Sequence, residues 1–354
     1  MNNQRNILVT TSLLLLAACG QVEEAPNQNS AVSETATQTT QAEGMTAWGH
    51  PDLQGVYTFA TNTPLERPLA LGEKATYTPE ELAEQEGNFH ARRLLSGQTN
   101  TPGNVASYDT IWTDNETGQL LSRTSLIVDP ANGRLPAVTE NGQAILDAYS
   151  ADMAARQYGE EPYVKTAYRT LFDLPAYERC VARPMPRIWQ AYNHGTQILQ
   201  TQDHVVIFYE SMHDARIIPL DGRAPLPEEV RFWNGDSRGH WEDDTLVITS
   251  SNYAKQWMDG GRAGPPMQFP MDNMQVTERF RRLDDNTLNY EVTVEDPTLW
   301  TQPWTMAMPW VSDDPNYALP EHLYEFACHE GNYRAMENTL RGSFDFFEQN
   351  QSGE

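Results

Sequence analysis

The sequence predicts a mainly β protein with some α: an antiparallel meander that closes on itself, helical segments in the N-terminal half, and a helix at the C-terminus. Three observations point there. From Thr196 onward, strand-forming runs alternate with short polar turns. Two of those turns share one grammar, Asp243-Asp244-Thr245-Leu246 and Asp284-Asp285-Asn286-Thr287-Leu288, as reused hairpins would. Leu288, Tyr290, Val292 and Val294 alternate with Asn289, Glu291, Thr293 and Glu295, the period-two signature of a half-buried strand.

Each element has a local cause. Residues 52–59 read as a first strand. Thr78-Pro79-Glu80-Glu81 opens a helix expected to reach Leu95: Thr78 is a good N-cap, Pro79 suits the first helical position, and Glu81 completes a capping box. Residues 98–107 read as loop. An apolar strand at 124–128 ends in the turn Asp129-Pro130-Ala131-Asn132-Gly133, and a second helix covers 140–157. Residues 183–190, interrupted by Pro184 and Pro186, read as extended or loop. Strands follow at 197–200, 205–210 and 216–220, a hairpin at 239–249, and further strands at 276–283, 287–295, 304–311 and 324–328. A Met- and Pro-rich loop, 265–274, is placed as a lid. Tyr333, Met336, Leu340, Phe344 and Phe347 form one apolar stripe of a terminal helix, expected to pack on the domain.

So many consecutive antiparallel strands tend to close, because closure removes edges. Gly55-Val56-Tyr57 near the start, the meander and the final helix are similar to lipocalin-type (calycin) barrels, a likeness of fold that carries no function. A β-sandwich is the main rival; no blade-length repeat supports a propeller.

The N-terminus reads as an address. Arg5 precedes an apolar run from Ile7 to Ala18, too short to span a bilayer and suited to a signal-peptide core. Leu16-Ala17-Ala18-Cys19 resembles the bacterial lipobox, which implies cleavage before Cys19 and lipidation of its thiol; Gly20 after it resembles outer-membrane sorting. An ordinary secretory signal is the alternative. Residues 21–44, rich in Gln, Thr, Ser and Ala without an aromatic, read as a flexible tether. The expected organisation is a signal peptide (1–18), a lipidated tether (19–45), one β-rich domain (46–348) with a helical insertion at about 78–190, and a short tail (349–354).

The net charge is −25, with Lys74, Lys165 and Lys255 the three lysines among 24 basic residues. Such a surface repels nucleic acid, so none is expected as a partner. With Cys19 assigned to lipid, Cys180 and Cys328 remain. In an oxidising envelope they suggest a disulfide, the alternative being two buried thiols. The bridge would close a loop worth about 5 kcal/mol in the chain-entropy model.

Several stretches form a specific set: Arg123-Thr-Ser-Leu-Ile-Val-Asp-Pro130, His213-Asp-Ala-Arg-Ile-Ile-Pro-Leu-Asp-Gly222, Gly235-Asp-Ser-Arg-Gly-His-Trp241, Val294-Glu-Asp-Pro297 and Tyr324-Glu-Phe-Ala-Cys-His-Glu-Gly-Asn-Tyr333. Together they resemble an uncharacterised family of secreted or lipid-anchored bacterial proteins across about residues 46–342. The resemblance implies a shared fold and no activity.

The residues themselves suggest acid–base chemistry. On a strand, Asp214 and Arg216 share a face and can pair, with His213 alongside as a base. His329, beside the bridge at Cys328, is a second proton carrier, with Glu330 as its orienting acid. Arg216, Arg238, Trp241, Asn332 and Trp304 are the expected substrate contacts, giving a pocket with aromatic walls and few polar groups. This reading makes the chain a lyase, isomerase or hydrolase acting on a moderately hydrophobic cyclic small molecule. The same pocket without turnover describes a binding lipoprotein. A third reading takes Gly235-Asp236-Ser237-Arg238-Gly239 as G-x-S-x-G with Ser237 the nucleophile, although its sequel reads as a hairpin and not as the helix an elbow needs. No metal-ligand spacing occurs; if a metal binds, His194, His213 and His329 are the trio. No phosphate loop or dinucleotide fingerprint occurs either, and no cofactor is expected.

Overall fold

The computed structural model describes residues 44–99, 120–160, 165–174, 176–177, 179–183, 185–187, 193–254, 257–259, 268–270, 272–312 and 323–351. Backbone contacts divide the chain into Met1–Gln41 and Ala42–Glu354, and the described residues belong to the second unit. Cys19, nearly all of the tether, the loop from Asn100 onward and residues 265–267 and 271 of the expected lid lie outside the described residues.

The protein is mainly β. In chain order, β1 (Gly55–Thr58) precedes α1 (Pro79–Thr99), β2 (Ile127–Asp129), α2 (Glu140–Ala155), and the short pair β3 (Gln157–Tyr158) and β4 (Lys165–Thr166). Then come β5 (Gly195–Gln200), β6 (His204–Tyr209), β7 (Asp214–Pro219), β8 (Asp236–Glu242) and β9 (Thr245–Ser251). A second short pair, β10 (Trp257–Asp259) and β11 (Gln268–Pro270), leads to β12 (Gln275–Arg282), β13 (Thr287–Glu295), β14 (Trp304–Val311) and α3 (Cys328–Gln351). The main sheet has ten strands, ordered β7-β6-β5-β1-β14-β13-β12-β9-β8, with β2 also paired to β14. Its strand pairings are all antiparallel.

Alternation decides which face is buried. Val205, Ile207 and Tyr209 on β6 point into the same core as Val276 and Phe280 on β12, and as Leu288, Tyr290, Val292 and Val294 on β13. Aromatic rings fill its centre: Tyr290 lies 4.7 Å from Phe280 and 4.8 Å from Trp310, centroid to centroid. Such contacts add to the burial of large apolar surfaces.

The two ends of the sheet, β7 and β8, carry no ladder pairing to each other. Their side chains nevertheless meet. Arg216 Nη2 on β7 donates to Ser237 Oγ on β8 at 3.2 Å. Further along, Gly239 leaves room for two aliphatic side chains: a Cβ there would sit 2.7 Å from Leu220 Cδ2 and 3.0 Å from Ile218 Cγ2.

The capping box forms as expected. Thr78 N donates to Glu81 Oε2 at 2.8 Å, and Glu81 N to Thr78 Oγ1 at 3.3 Å. Thr139 caps α2 by accepting from Gly142 N at 2.9 Å.

Two expectations are corrected. Residues 324–328 are not a strand: 324–327 are irregular and Cys328 opens α3. Side chains take up the backbone groups that a ladder would use. Tyr324 N donates to Glu210 Oε2 at 3.3 Å and Phe326 N to His213 Nε2 at 3.0 Å. The apolar stripe on α3 packs only in part: Tyr333 is 65 % and Phe344 62 % exposed, while Met336, Leu340 and Phe347 are half-buried. The helix also seats through Gly342, Ser343 and Phe346. Gly342 lies against the Tyr158 hydroxyl, Ser343 Oγ accepts from Tyr168 N at 2.9 Å, and Phe346 packs 5.6 Å from the Tyr158 ring.

Candidate functional site

A concavity among the described residues lies where β7 and β8 part. It is an open groove of about 360 Å³. Two local features shape it. The turn from β6 into β7, Ser211–His213, holds Met212 at φ 70° and His213 at φ 47°, left-handed conformations that side-chain-bearing residues adopt at a cost of order 1 kcal/mol each. On the other side, Gly235 at φ 73° turns the chain into β8, and a Cβ there would lie 2.8 Å from both Ser251 O and the Tyr253 ring.

Asp214 begins β7 and forms part of the groove's lining. Its Oδ2 accepts from Arg187 Nη2 at 2.9 Å and from Asn234 Nδ2 at 2.6 Å. The Arg187 side chain is 1 % exposed, with its guanidinium 4.3 Å above the Tyr209 ring. Burial holds the Arg187 guanidinium below its ordinary pKa, while Tyr209 and Asp214 oppose that shift. The expected Asp214–Arg216 pair is therefore corrected. Both strand positions are as predicted, but Asp214 finds Arg187 and Arg216 finds Glu278.

Arg216 is the hub of the layer beneath. Nη1 donates to Glu278 Oε1 at 3.0 Å and to the Tyr209 hydroxyl at 3.3 Å. Nη2 donates to Glu278 Oε2, to Ser237 Oγ, and to Ser250 Oγ at 3.0 Å. Tyr290 OH donates to Glu278 Oε1 at 2.7 Å. Burial opposes charge on Arg216, but the paired Glu278 carboxylate holds its pKa well above the ordinary value. Burial raises the pKa of the Tyr209, Tyr253 and Tyr290 hydroxyls, which stay protonated.

Arg238 forms part of the groove rim. Its Nη1 donates to Asp236 Oδ1 at 2.6 Å and to Ser237 O at 2.7 Å, while Nε and Nη2 hold Ala224 O at 3.2 and 3.1 Å. Val181, Ile217, Phe232 and Trp233 supply the apolar wall.

The structure thus gathers Asp214, Arg216, Arg238 and Ser237 in one place. The other expected residues lie elsewhere. His213 precedes Asp214, but its ring turns to the 324–326 segment, with Nε2 2.9 Å from Tyr324 O and 3.0 Å from Phe326 N. One of those contacts is a hydrogen bond at a time, depending on whether Nε2 carries a proton. His329 and Glu330 are exposed in the first turn of α3 and form no part of the groove lining. Asn332 falls on α3, and its side chain lies outside the described atoms. Trp241 stacks on His50 at 4.8 Å and 6°, away from the groove lining. Trp304 is 0 % exposed, a core residue that no ligand touches.

Ser237 sits within β8, which continues as a hairpin into β9, so it occupies no strand–turn–helix elbow. Its Oγ lies 2.8 Å from Ser250 Oγ, and no histidine is among its hydrogen-bond partners within the described residues. Buried His194 meets Phe59 edge-on at 5.2 Å. Among the described residues no group of three or more His, Cys, Asp or Glu side chains is placed to hold a metal ion, the trio His194, His213 and His329 included. Cys180 and Cys328 are joined by a disulfide with a Cα–Cα distance of 5.8 Å, and Cys180 directly precedes the groove residues Val181 and Ala182.

Sequence reasoning missed Arg187, Asn234, Glu278 and the wall residues. Glu278 had a signal: it occupies the inward phase of Val276-x-Glu278-x-Phe280, and an inward acid requires a partner. Asn234-Gly235 had one too, as a turn dipeptide. Arg187 had none.

No family model matches the sequence, and neither the curated proteins nor the solved structures offer a match.

Proposed function

We propose that this chain is an envelope lipoprotein of barrel architecture that binds a small, moderately apolar, cyclic molecule in the groove between β7 and β8. The observation that carries the reading is the groove itself. An apolar wall of Val181, Ile217, Phe232 and Trp233 faces a carboxylate, Asp214, that is held rigid by Arg187 and Asn234. Mostly apolar concavities of this size with few oriented polar groups are what small-molecule sites look like.

Barrel closure is part of the proposal. The Arg216–Ser237 bond and the approach of Ile218 and Leu220 to Gly239 support it, as the first and last strands of the path would meet in a calycin-type barrel. Membership of the family of secreted and lipid-anchored bacterial proteins is also part of it. Two of the motifs that carry that resemblance, around His213–Gly222 and Gly235–Trp241, build the two sides of the groove. Lipid anchoring rests on Leu16-Ala17-Ala18-Cys19, and the disulfide suits an oxidising compartment.

Binding is favoured over acid–base turnover because neither His213 nor His329 lines the groove. Serine hydrolysis lacks a base at Ser237. One preparation tests the whole reading: protein extracted from a bacterial membrane fraction should carry a lipid mass increment, and small aromatic ligands should change its tryptophan fluorescence. Trp233→Ala should weaken that binding about tenfold or more, since a stacked ring of this size contributes on the order of 1–3 kcal/mol. A lipid-free mature chain overturns the anchoring. Binding indifferent to Trp233→Ala overturns the groove.

A further inference from the structure

The groove's hydrogen-bonding capacity is one-sided, and that limits what it can hold. Both contacts to Asp214 fall on Oδ2. Its Oδ1 takes no partner among the described residues. Asn234 donates its Nδ2 to Asp214 and is left with an Oδ1 that has no donor and no solvent. Both residues form part of the groove lining, so two acceptors there are unmatched.

The neighbouring guanidiniums are committed in the opposite sense. Arg238 is engaged through Nε, Nη1 and Nη2. Arg216 has both Nη groups engaged with Glu278, Tyr209 and the two serines. Three donors remain over, Arg216 Nε and the Nε and Nη1 of Arg187; all are shut away from solvent, and Arg187 forms no part of the groove lining. A carboxylate ligand would have to displace a formed ion pair to find a donor, and it would stand beside Asp214. A ligand with a charged donor meets an open carboxylate oxygen without breaking anything. The net charge of −25 adds long-range attraction for a cation and repulsion for an anion.

Resting on the binding reading above, we infer that the groove selects an ammonium group carried on an apolar ring. The ammonium donates to Asp214 Oδ1, and the ring lies against Trp233 and Phe232. The preference comes from the charge-assisted bond, which is stronger than a neutral one.

The test uses the full chain and three probes of one shape: benzylammonium, benzyl alcohol and benzoate. Calorimetry at low salt should rank them in that order, with benzylammonium at least tenfold tighter than benzoate. Trp233→Ala should weaken benzylammonium binding. Asp214→Asn should weaken benzylammonium about tenfold and benzyl alcohol less. That variant leaves Arg187 without its counter-charge, so the wild-type ranking stands as the independent measurement if it does not fold. Benzoate binding as tightly as benzylammonium, with both weakened by Trp233→Ala, overturns the ammonium inference and leaves the groove intact. Failure of all three probes, or binding that ignores Trp233→Ala, overturns the groove and the inference together.

Discussion

The seam between β7 and β8 has two ends, and they differ in side-chain size and polarity. At one end the Ile218 and Leu220 side chains approach Gly239, and the two edges meet through apolar contact. At the other, Asp214 and Arg216 face Asn234, Asp236 and Ser237, and the strands part around the groove. The same two strand edges serve both. Where a residue without a Cβ meets aliphatic side chains, the hydrophobic effect draws the edges together. Where charged groups meet, each needs a partner and space, and the gap persists. The proposed binding groove lies where the two edges stand apart.

The largest effect should come from the floor of the open end. Glu278→Ala leaves Arg216 buried without its counter-charge, and should cost about 3–5 kcal/mol in urea unfolding. Replacing both partners, Arg216→Met with Glu278→Leu, should recover much of that loss. A single-variant cost under about 1 kcal/mol would mean that the pair does not hold the open end together.

The closed end should respond less. Gly239→Ala places a methyl 2.7 Å from Leu220 Cδ2 and 3.0 Å from Ile218 Cγ2. Because both are side-chain atoms that shift, the expected cost is about 1–3 kcal/mol, with ligand affinity kept. Loss of ligand affinity with stability unchanged would show that the two ends are not separable.

The smallest effect is expected at His213. Removing its ring takes away the Nε2 contact to the 324–326 backbone, for about 1 kcal/mol. Hydrogen exchange at Phe326 should accelerate while ligand affinity holds. A large loss of affinity in His213→Ala would return the imidazole to the site.

Much of the fold was legible. Strands β13 and β14 run over the residues their alternation predicts, because a half-buried strand writes its burial into every second residue. The capping box at Thr78 and Glu81 was legible for a similar reason: the partners lie three residues apart, and the geometry is local. Residues 324–328 were not, because their apolar character suited a strand while distant side chains, Glu210 and His213, took their backbone groups.

The candidate site was half legible. Asp214, Arg216 and Arg238 stood out as charges within strand-forming runs. Their partners did not, since Arg187 lies 27 residues from Asp214 and Glu278 lies 62 from Arg216. The same-face rule places neighbours on one strand correctly. It is silent on groups brought in from other strands and loops, and these outcompeted the neighbour.

What this sequence determined alone is whatever depends on residues a few positions apart: which segments are strands, which face of each is apolar, where two helices begin, and the acidic charge that disfavours nucleic acid. Only the tertiary structure decided which buried charge pairs with which, that the imidazole of His213 turns to a loop, and that two unladdered strand edges enclose a groove. Those outcomes depend on distances between segments far apart in the chain, and they are settled by which long-range packing leaves the fewest charges buried without a partner.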